Sequence, residues 1–425
     1  MKNRFFKYVS QNILAMIGLS LYILADTYFI SKAVGANGIT ALNMALPVYG
    51  VIFALGQMVG VGSAIRYSIV KEQYRNSNKD GSNECDKYFS GALFWGLVIG
   101  VIFAVLGLVF PDKIVEIMGG DETIVAIGVP YFRIFMSFSP FFIFNYTCNA
   151  FVRNDGNPSV SMAATLISSL FNIVFDYILM FPLGMGMPGA ALATALSPVV
   201  GVMICMIHFL SKKNTVKFKW FKISLTRLFH CCQVGMSAFV GEMSGAVIVM
   251  VFNFIILRLT GNIGVAAYGV VANTALVAVA VFNGVALGSQ PLISESYGKH
   301  NIKDIKLIEK LGVATALGLA VIIVIMIWGF TDTIVGVFNS QGSDRLLSLA
   351  RVGLRIYFIG FLFAGINIFC SSALSAIASV KWAFVLSILK GFVVVNVCAA
   401  ILAPIFGMNG VWVAFPLSEF ILLII

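Results

Sequence analysis

The stretch from Ser10 to Gly35, SQNILAMIGLSLYILADTYFISKAVG, holds an apolar run long enough to lie in lipid, with a carboxylate, Asp26, inside it. A charged side chain at the centre of a bilayer costs roughly 3 kcal/mol on insertion scales. Membrane chains keep such a group where it faces a watery cavity, a partner or a transported ion. Asp26 is therefore the first candidate functional residue, and the run around it is a candidate membrane span.

The whole chain has the composition of a polytopic membrane protein. Of its 425 residues, 60% are hydrophobic and 11% are charged, and the mean hydropathy is +0.97. Long apolar runs indicate helices, since barrel strands would give short alternating segments. The first run is too long for a cleaved signal and lacks a small-residue cleavage pattern. We predict 12 spans, at residues 10–34, 39–67, 88–110, 125–152, 158–182, 189–210, 231–259, 265–293, 311–331, 350–376, 382–404 and 410–425.

The basic residues indicate how the chain is oriented. Lysines and arginines cluster before span 1 and then in alternate loops, with the largest group between spans 6 and 7, whereas the other loops carry few. The positive-inside rule therefore predicts a multi-pass protein of the plasma (inner) membrane with a cytoplasmic N-terminus. This distribution explains the net charge of +10 without nucleic acid, and no nucleic-acid partner is expected.

The two halves of the chain resemble each other. Four small residues of the first half recur in the second at one constant offset: Gly35, Gly38, Gly62 and Ser63 recur as Gly261, Gly264, Gly288 and Ser289. Six spans per half in one orientation predict an all-α fold of two six-helix bundles, related by a parallel pseudo-two-fold axis along the membrane normal. The expected units are an N-terminal lobe at 1–210, a basic cytoplasmic linker at 211–230 and a C-terminal lobe at 231–425.

Further polar residues lie inside the spans. Asp176 is in span 5 and Glu242 in span 7, and Asn172 shares a helix face with Asp176 because it precedes it by one turn. Thr194 follows in span 6. Two carboxylates with an amide and a hydroxyl are hard oxygen ligands suited to Na⁺, and two neighbouring carboxylates are equally suited to holding a proton.

A structural alternative is that each acid pairs with a buried base. The bases available for this in the sequence are Arg66, Arg133, Arg355 and Lys390. Intramembrane acids are by default functional, which favours a cation site for the pair of Asp26 and Asp176. For Glu242 the two interpretations are balanced.

No enzyme is indicated. The seven cysteines are scattered, and we interpret them as small buried hydrophobic residues. The three histidines form no ligand cluster. The sequence contains no ATP-binding motif, metal-ligand set or nucleophile–base arrangement. We therefore expect no cofactor and no metal beyond a coupling ion.

The chain resembles the multidrug and toxic compound extrusion (MATE) family, and within it the multidrug exporters of Gram-positive bacteria. The resemblance covers essentially the whole chain. It is carried by three stretches: SLYILADTYFI at 20–30, RNDGNP at 153–158, and the segment from NIVFD at 172–176 to GMGMPGAALAT at 184–194.

The resemblance implies a cofactor-free antiporter that expels small cationic or lipophilic drugs in exchange for H⁺ or Na⁺. It also implies that Asp26, Asn172, Asp176 and Thr194 bind the cation, with Glu242 as a candidate substrate or coupling residue. Many members carry a proline near the start of span 1, but this span has none. A mechanism that bends the helix at proline is therefore not expected.

Other functions remain open from the sequence. A lipid-linked saccharide flippase of the same superfamily would share the two-lobe plan but favours a basic central cavity. A membrane-embedded enzyme or a pore would need a nucleophile, metal ligands or a selectivity ring, and the sequence shows none of these. A non-transporting receptor would leave the buried acids unexplained. Membrane lipids are the expected surroundings, and a monomer is the expected state.

Overall fold

A computed structural model describes residues 1–77, 81–338 and 343–425, and every regular element in these ranges is helical. The α-helices are α1 (Lys2–Ala33), α2 (Ala36–Asn76), α3 (Ser82–Val109), α4 (Pro111–Ile117), α5 (Glu122–Ser137), α6 (Ser139–Asn154), α7 (Pro158–Met180), α8 (Gly186–Phe209), α9 (Leu225–Gly298), α10 (Ile302–Phe338), α11 (Asp344–Tyr357), α12 (Phe361–Ala376), α13 (Val380–Ile388), α14 (Val394–Phe406) and α15 (Met408–Ile424).

Within the described ranges these helices account for the predicted spans, although helices and spans do not correspond one to one. Helices α5 and α6 form one span that bends by 46°. Helix α9 contains two spans, because its backbone leaves helical geometry at Gly261. A 3₁₀ turn at Phe358–Gly360 joins α11 to α12, and a π-helical turn at Leu389–Val393 joins α13 to α14. The short helix α4 was not predicted.

Repeated glycines adopt the same backbone conformation in both halves. Gly35, which precedes α2, has φ 80° and ψ −156°, and Gly261 has φ 69° and ψ −157°. Gly186 and Gly407, each of which opens a GM dipeptide, form another such pair, with φ 55° and φ 57°. Residues with a side chain rarely adopt this region, so the repeated glycines mark equivalent turns in the two halves.

The two halves also touch through equivalent glycines. A Cβ atom on Gly62 of α2 would lie 2.1 Å from the carbonyl oxygen of Cys231 and 2.9 Å from the nitrogen of Gly235. A Cβ atom on Gly288 would lie 2.8 Å from both the carbonyl oxygen of Tyr8 and the Cα of Val9. The repeat offset that carries Gly62 to Gly288 also relates Val9 to Gly235, so the contact of α2 with early α9 mirrors that of late α9 with α1.

The apolar core is distributed over both halves. One large cluster of buried side chains runs from Ile30 to Ala191, and another runs from Phe252 to Phe415. The segment 214–224 between them is not helical, and α9 already begins at Leu225, inside the predicted linker. Ser224 starts this helix by accepting a hydrogen bond from the backbone of Arg227. The exact lobe boundaries at 210 and 231 stay a prediction.

Candidate functional site

The predicted polar residues lie on three neighbouring helices of the first half. Asp26 is on α1, Asn172 and Asp176 are on α7, and Thr194 is on α8. Helix α7 packs against both α1 and α8, so these side chains enter one region of the protein interior. All four residues are buried, Asp176 and Asn172 completely. The helix α1 that carries Asp26 is continuous and contains no proline.

Asn172 connects Asp176 to Thr194. In one orientation of its amide, Asn172 Nδ2 donates to Thr194 Oγ1 at 3.3 Å. In the swapped orientation, which satisfies more groups, its nitrogen donates to Asp176 Oδ2 at 3.1 Å and its oxygen accepts from the backbone nitrogen of Thr194 at 3.3 Å. The amide therefore fixes the position of one Asp176 oxygen and leaves the other available.

Each carboxylate has one buried oxygen that the described residues leave without a partner. Within residues 1–77, 81–338 and 343–425, Asp26 Oδ1 and Asp176 Oδ1 accept no hydrogen bond. Across the three described ranges, neither residue belongs to an ion pair. The charge of Asp26 also acts on Asp176, so the two carboxylates repel each other when both are ionised. A buried charge without a partner is costly, and a bound cation or proton would remove that cost.

Two tyrosines belong to this region, and the sequence did not single them out. Tyr131 of α5 is 3% exposed, and the charges of Asp26 and Asp176 both act on its hydroxyl. Tyr22 lies one turn before Asp26 on α1, and its hydroxyl lies 3.1 Å from that of Tyr49. Tyrosine hydroxyls both donate and accept, so they can complete an oxygen-lined site. Their signal in the sequence was weak because aromatic residues are abundant throughout the chain.

Glu242 lies apart from these residues. Its carboxylate oxygen Oε1 accepts a hydrogen bond from Gln57 Nε2 at 2.9 Å, which links early α9 to α2 across the two halves. Its side chain is exposed, unlike those of Asp26 and Asp176. Within the described part of the chain it shares no hydrogen bond with the other predicted site residues. Its role as a substrate or coupling residue stays a prediction.

Ion pairs join the two halves at the end that carries the basic loops. Arg4 at the start of α1 binds Glu295 at the end of α9, with 2.7 Å between Arg4 Nη2 and Glu295 Oε2. Lys299 contacts Glu295 and lies 3.7 Å from Glu72 on α2. Together with the glycine contacts, these pairs hold the halves together at this end of the molecule.

The RNDGNP loop is held by a buried carboxylate outside the membrane spans. Asp155 Oδ1 accepts from Tyr67 at 2.5 Å and from Lys71 at 2.8 Å, while Oδ2 accepts from the backbone of Thr215 at 2.9 Å and lies 2.9 Å from His208 Nε2. Burial acts to raise the pKa of Asp155, but the hydrogen bonds and the charge of Lys71 outweigh it and hold this pKa below its usual value. The network ties the linker to α2 and α8.

These features define a polytopic membrane transporter with a buried acidic site in its first half. The profile of the MatE family matches residues 12–178 and 238–402, and the chain belongs to this family. The family confirms two expectations from the sequence, namely that the chain is a membrane transporter and that it is not an enzyme.

Curated relatives match over nearly the whole chain. The multidrug export protein MepA of Staphylococcus aureus strain MRSA252 is 28% identical over 410 residues, which cover 93% of this chain and 86% of that protein. MepA of Staphylococcus saprophyticus is 24% identical over 396 residues, covering 92% of this chain and 85% of the relative.

Solved structures confirm the predicted fold class. An outward-facing MATE transporter of the MOP superfamily superposes with a TM-score of 0.92 at 22% identity, over 99% of this chain and 93% of that one. A MOP superfamily transporter from Pyrococcus furiosus, described as having a binding pocket of reversed polarity, gives 0.89 at 22% identity, over 98% and 93% of the two chains. At this identity the likeness concerns the fold alone.

Proposed function

We propose that the chain is a secondary active antiporter that exports lipophilic organic cations in exchange for H⁺ or Na⁺ moving inward. The observation that carries this proposal is the pair of buried carboxylates, Asp26 and Asp176, each with an oxygen that no group in the described part of the chain satisfies. Two relatives named as multidrug export proteins, aligned over more than nine-tenths of the chain, support the class of substrate.

The cation exchange follows from the electrostatics of the site. When the coupling ion binds Asp26 and Asp176, it neutralises two repelling carboxylates, with Asn172 and Thr194 supplying further oxygen ligands. Neutralisation changes how α1 packs on α7 and weakens the binding of a cationic drug. A few kcal/mol of difference in affinity between the two states is enough for useful coupling. No cofactor takes part.

The proposed orientation puts the N-terminus and the basic linker in the cytoplasm. The ion pair between Arg4 and Glu295 then holds the two halves together at the cytoplasmic end. An exporter that is closed at its cytoplasmic end is in the state that releases drug and takes up the coupling ion. The chain is proposed to act as a monomer.

The flippase alternative requires basic residues around the central cavity to hold an anionic headgroup. The ionisable site residues on α1 and α7, Asp26 and Asp176, are acids, and the described part of the chain brings no lysine or arginine into an ion pair with them. The polarity of this region therefore favours a cationic substrate.

The test is ethidium efflux from proteoliposomes driven by a pH gradient or a Na⁺ gradient, imposed one at a time. We expect one gradient to drive efflux by the wild type and neither to drive efflux by Asp26→Asn or Asp176→Asn. Asp112→Asn, which changes an exposed acid on α4, serves as the matched control and should transport normally. Efflux by Asp176→Asn at the wild-type rate would refute the proposed coupling site.

A further inference from the structure

A cavity of about 570 Å³ opens at the surface of the first half, and none of the four acidic-site residues lines it. Helices α3 and α8 both pack against α6, and the cavity occupies the space between them. The extended linker segment 214–223 covers the end of the cavity on the side of the basic loops. This volume falls within the range of about 300–1,000 Å³ that is typical of sites for small ligands.

The interior of the cavity is apolar. Its wall contains Leu93, Phe144 and Val202, and the uncharged side chains of Ser90 and Asn214 at its edge are already hydrogen-bonded. Asn214 donates to the backbone oxygens of Phe209 and Val216, and Ser90 accepts from the backbone nitrogen of Lys219. A hydrocarbon chain therefore fits this wall without leaving a polar group unsatisfied.

The rim of the cavity is basic and aromatic. Lys217 lines the rim, and Lys222 stands in the linker between the lining residues Phe221 and Ile223. Both lysines are exposed and form no ion pair within the described residues, whereas Lys219 is neutralised by Asp86 at 2.7 Å. Trp220 is 86% exposed and packs edge-on against Phe218. Exposed tryptophan next to unpaired lysine is typical of a segment at the level of lipid headgroups.

We propose that this cavity binds an anionic phospholipid from the leaflet on the linker side. One acyl chain enters between α3 and α8, and Lys217 and Lys222 contact the phosphate of the headgroup. The lipid thereby holds the linker against α3, beside the contacts that Asp86 already makes. The inference rests on the proposed orientation only for the identity of the leaflet, and lipid binding can be measured without transport.

The test uses brominated phospholipids, which quench nearby tryptophan, with the protein in nanodiscs. The contribution of Trp220 is the difference in fluorescence quenching between the wild type and the Trp220→Phe variant. We expect brominated phosphatidylglycerol to compete at this position roughly 25-fold better than brominated phosphatidylcholine, since each of the two lysines near the surface contributes roughly fivefold. The variant with both Lys217→Ala and Lys222→Ala should lose this preference, and Lys303→Ala with Lys306→Ala, which changes two exposed lysines outside the cavity, should retain it.

A second pair of variants tests entry of the acyl chain. Val202→Phe fills the cavity and should lower the quenching of Trp220 by lipids brominated in mid-chain. Met203→Phe, on the adjacent and 66% exposed position outside the cavity, should not. Equal quenching of Trp220 by phosphatidylglycerol and phosphatidylcholine in the wild type would overturn the proposal. Displacement of the lipid by tetraphenylphosphonium would also overturn it, because a drug would then be the occupant of the cavity. If the wild type preferred brominated phosphatidylglycerol but showed no ion-driven efflux, the result would refute the proposed function and leave the lipid site standing.

Discussion

The contact between the halves at Gly62 predicts a large effect of a single methyl group. In Gly62→Ala the new Cβ would lie 2.1 Å from the carbonyl oxygen of Cys231, whereas ordinary contact begins at 3.4 Å. The three nearest atoms, two of Cys231 and one of Gly235, all belong to the backbone of α9, so no side chain can rotate away. The helices must therefore separate by about 1 Å at this point.

The expected cost is about 1–3 kcal/mol, the usual range for one extra methylene in a packed interface. This cost falls only on the state in which α2 touches early α9, so the ratio of separated to closed molecules should rise by about 5–150-fold. Gly50→Ala is the matched control, because a Cβ at Gly50 of the same helix meets nothing within 4 Å.

The assay is the distance distribution between spin labels at two exposed positions, Gln73 on α2 and Lys303 on α10, in a cysteine-free background. Gly62→Ala should move population to longer distances, and Gly288→Ala should do the same through the equivalent contact with α1. If Gly62→Ala and Gly50→Ala gave the same distribution, the contact would not hold the closed state.

Three further perturbations follow from the structure. Asp155→Asn should lower the free energy of unfolding by about 3 kcal/mol, because it breaks a buried charge pair. The pKa of Asp155 in the folded protein lies below the unfolded value of about 3.9, so the wild type should keep its whole advantage over the variant above that pH and lose it as the pH falls through the folded pKa. Melting curves in detergent at several pH values would show this. Glu295→Gln should destabilise the closed state of the basic end by about 1 kcal/mol or less, because its partner Arg4 is half exposed. The difference in spin-label distances between this variant and the wild type should disappear in high salt, which screens the ion pair. Tyr131→Phe should weaken coupling-ion affinity while leaving the melting temperature within a few degrees of the wild type, which titration of ion-driven efflux would detect.

The fold was accessible from the sequence because hydropathy, basic loops and repeated glycines all report on the same two-bundle plan. The constant offset between Gly35 and Gly261 even identified two turns with the same unusual backbone. Local breaks were less accessible. The π-helical turn at Leu389–Val393 contains Lys390 and Gly391 inside a predicted span, and neither residue by itself signals a change of helical pitch. The start of α9 at Leu225 lies among polar linker residues, which concealed it.

The site was accessible only in part. Asp26 and Asp176 stand out because charge is rare in a membrane span, and the one-turn spacing put Asn172 beside Asp176. The structure adds that each acid has an unsatisfied oxygen, which depends on the packing of α1 against α7 and cannot be read from spacing. Tyr131 was missed because nothing distinguishes one buried tyrosine from many aromatic neighbours until the helices are assembled.

The most direct test of the central claim is to measure whether drug binding displaces a cation from the purified protein. Tetraphenylphosphonium is added to the protein in weakly buffered detergent, and released H⁺ and bound ²²Na⁺ are followed in parallel. We predict that the wild type releases one of these ions on drug binding and that Asp176→Asn releases neither. Equal release from the wild type and from Asp176→Asn would show that the coupling ion binds elsewhere.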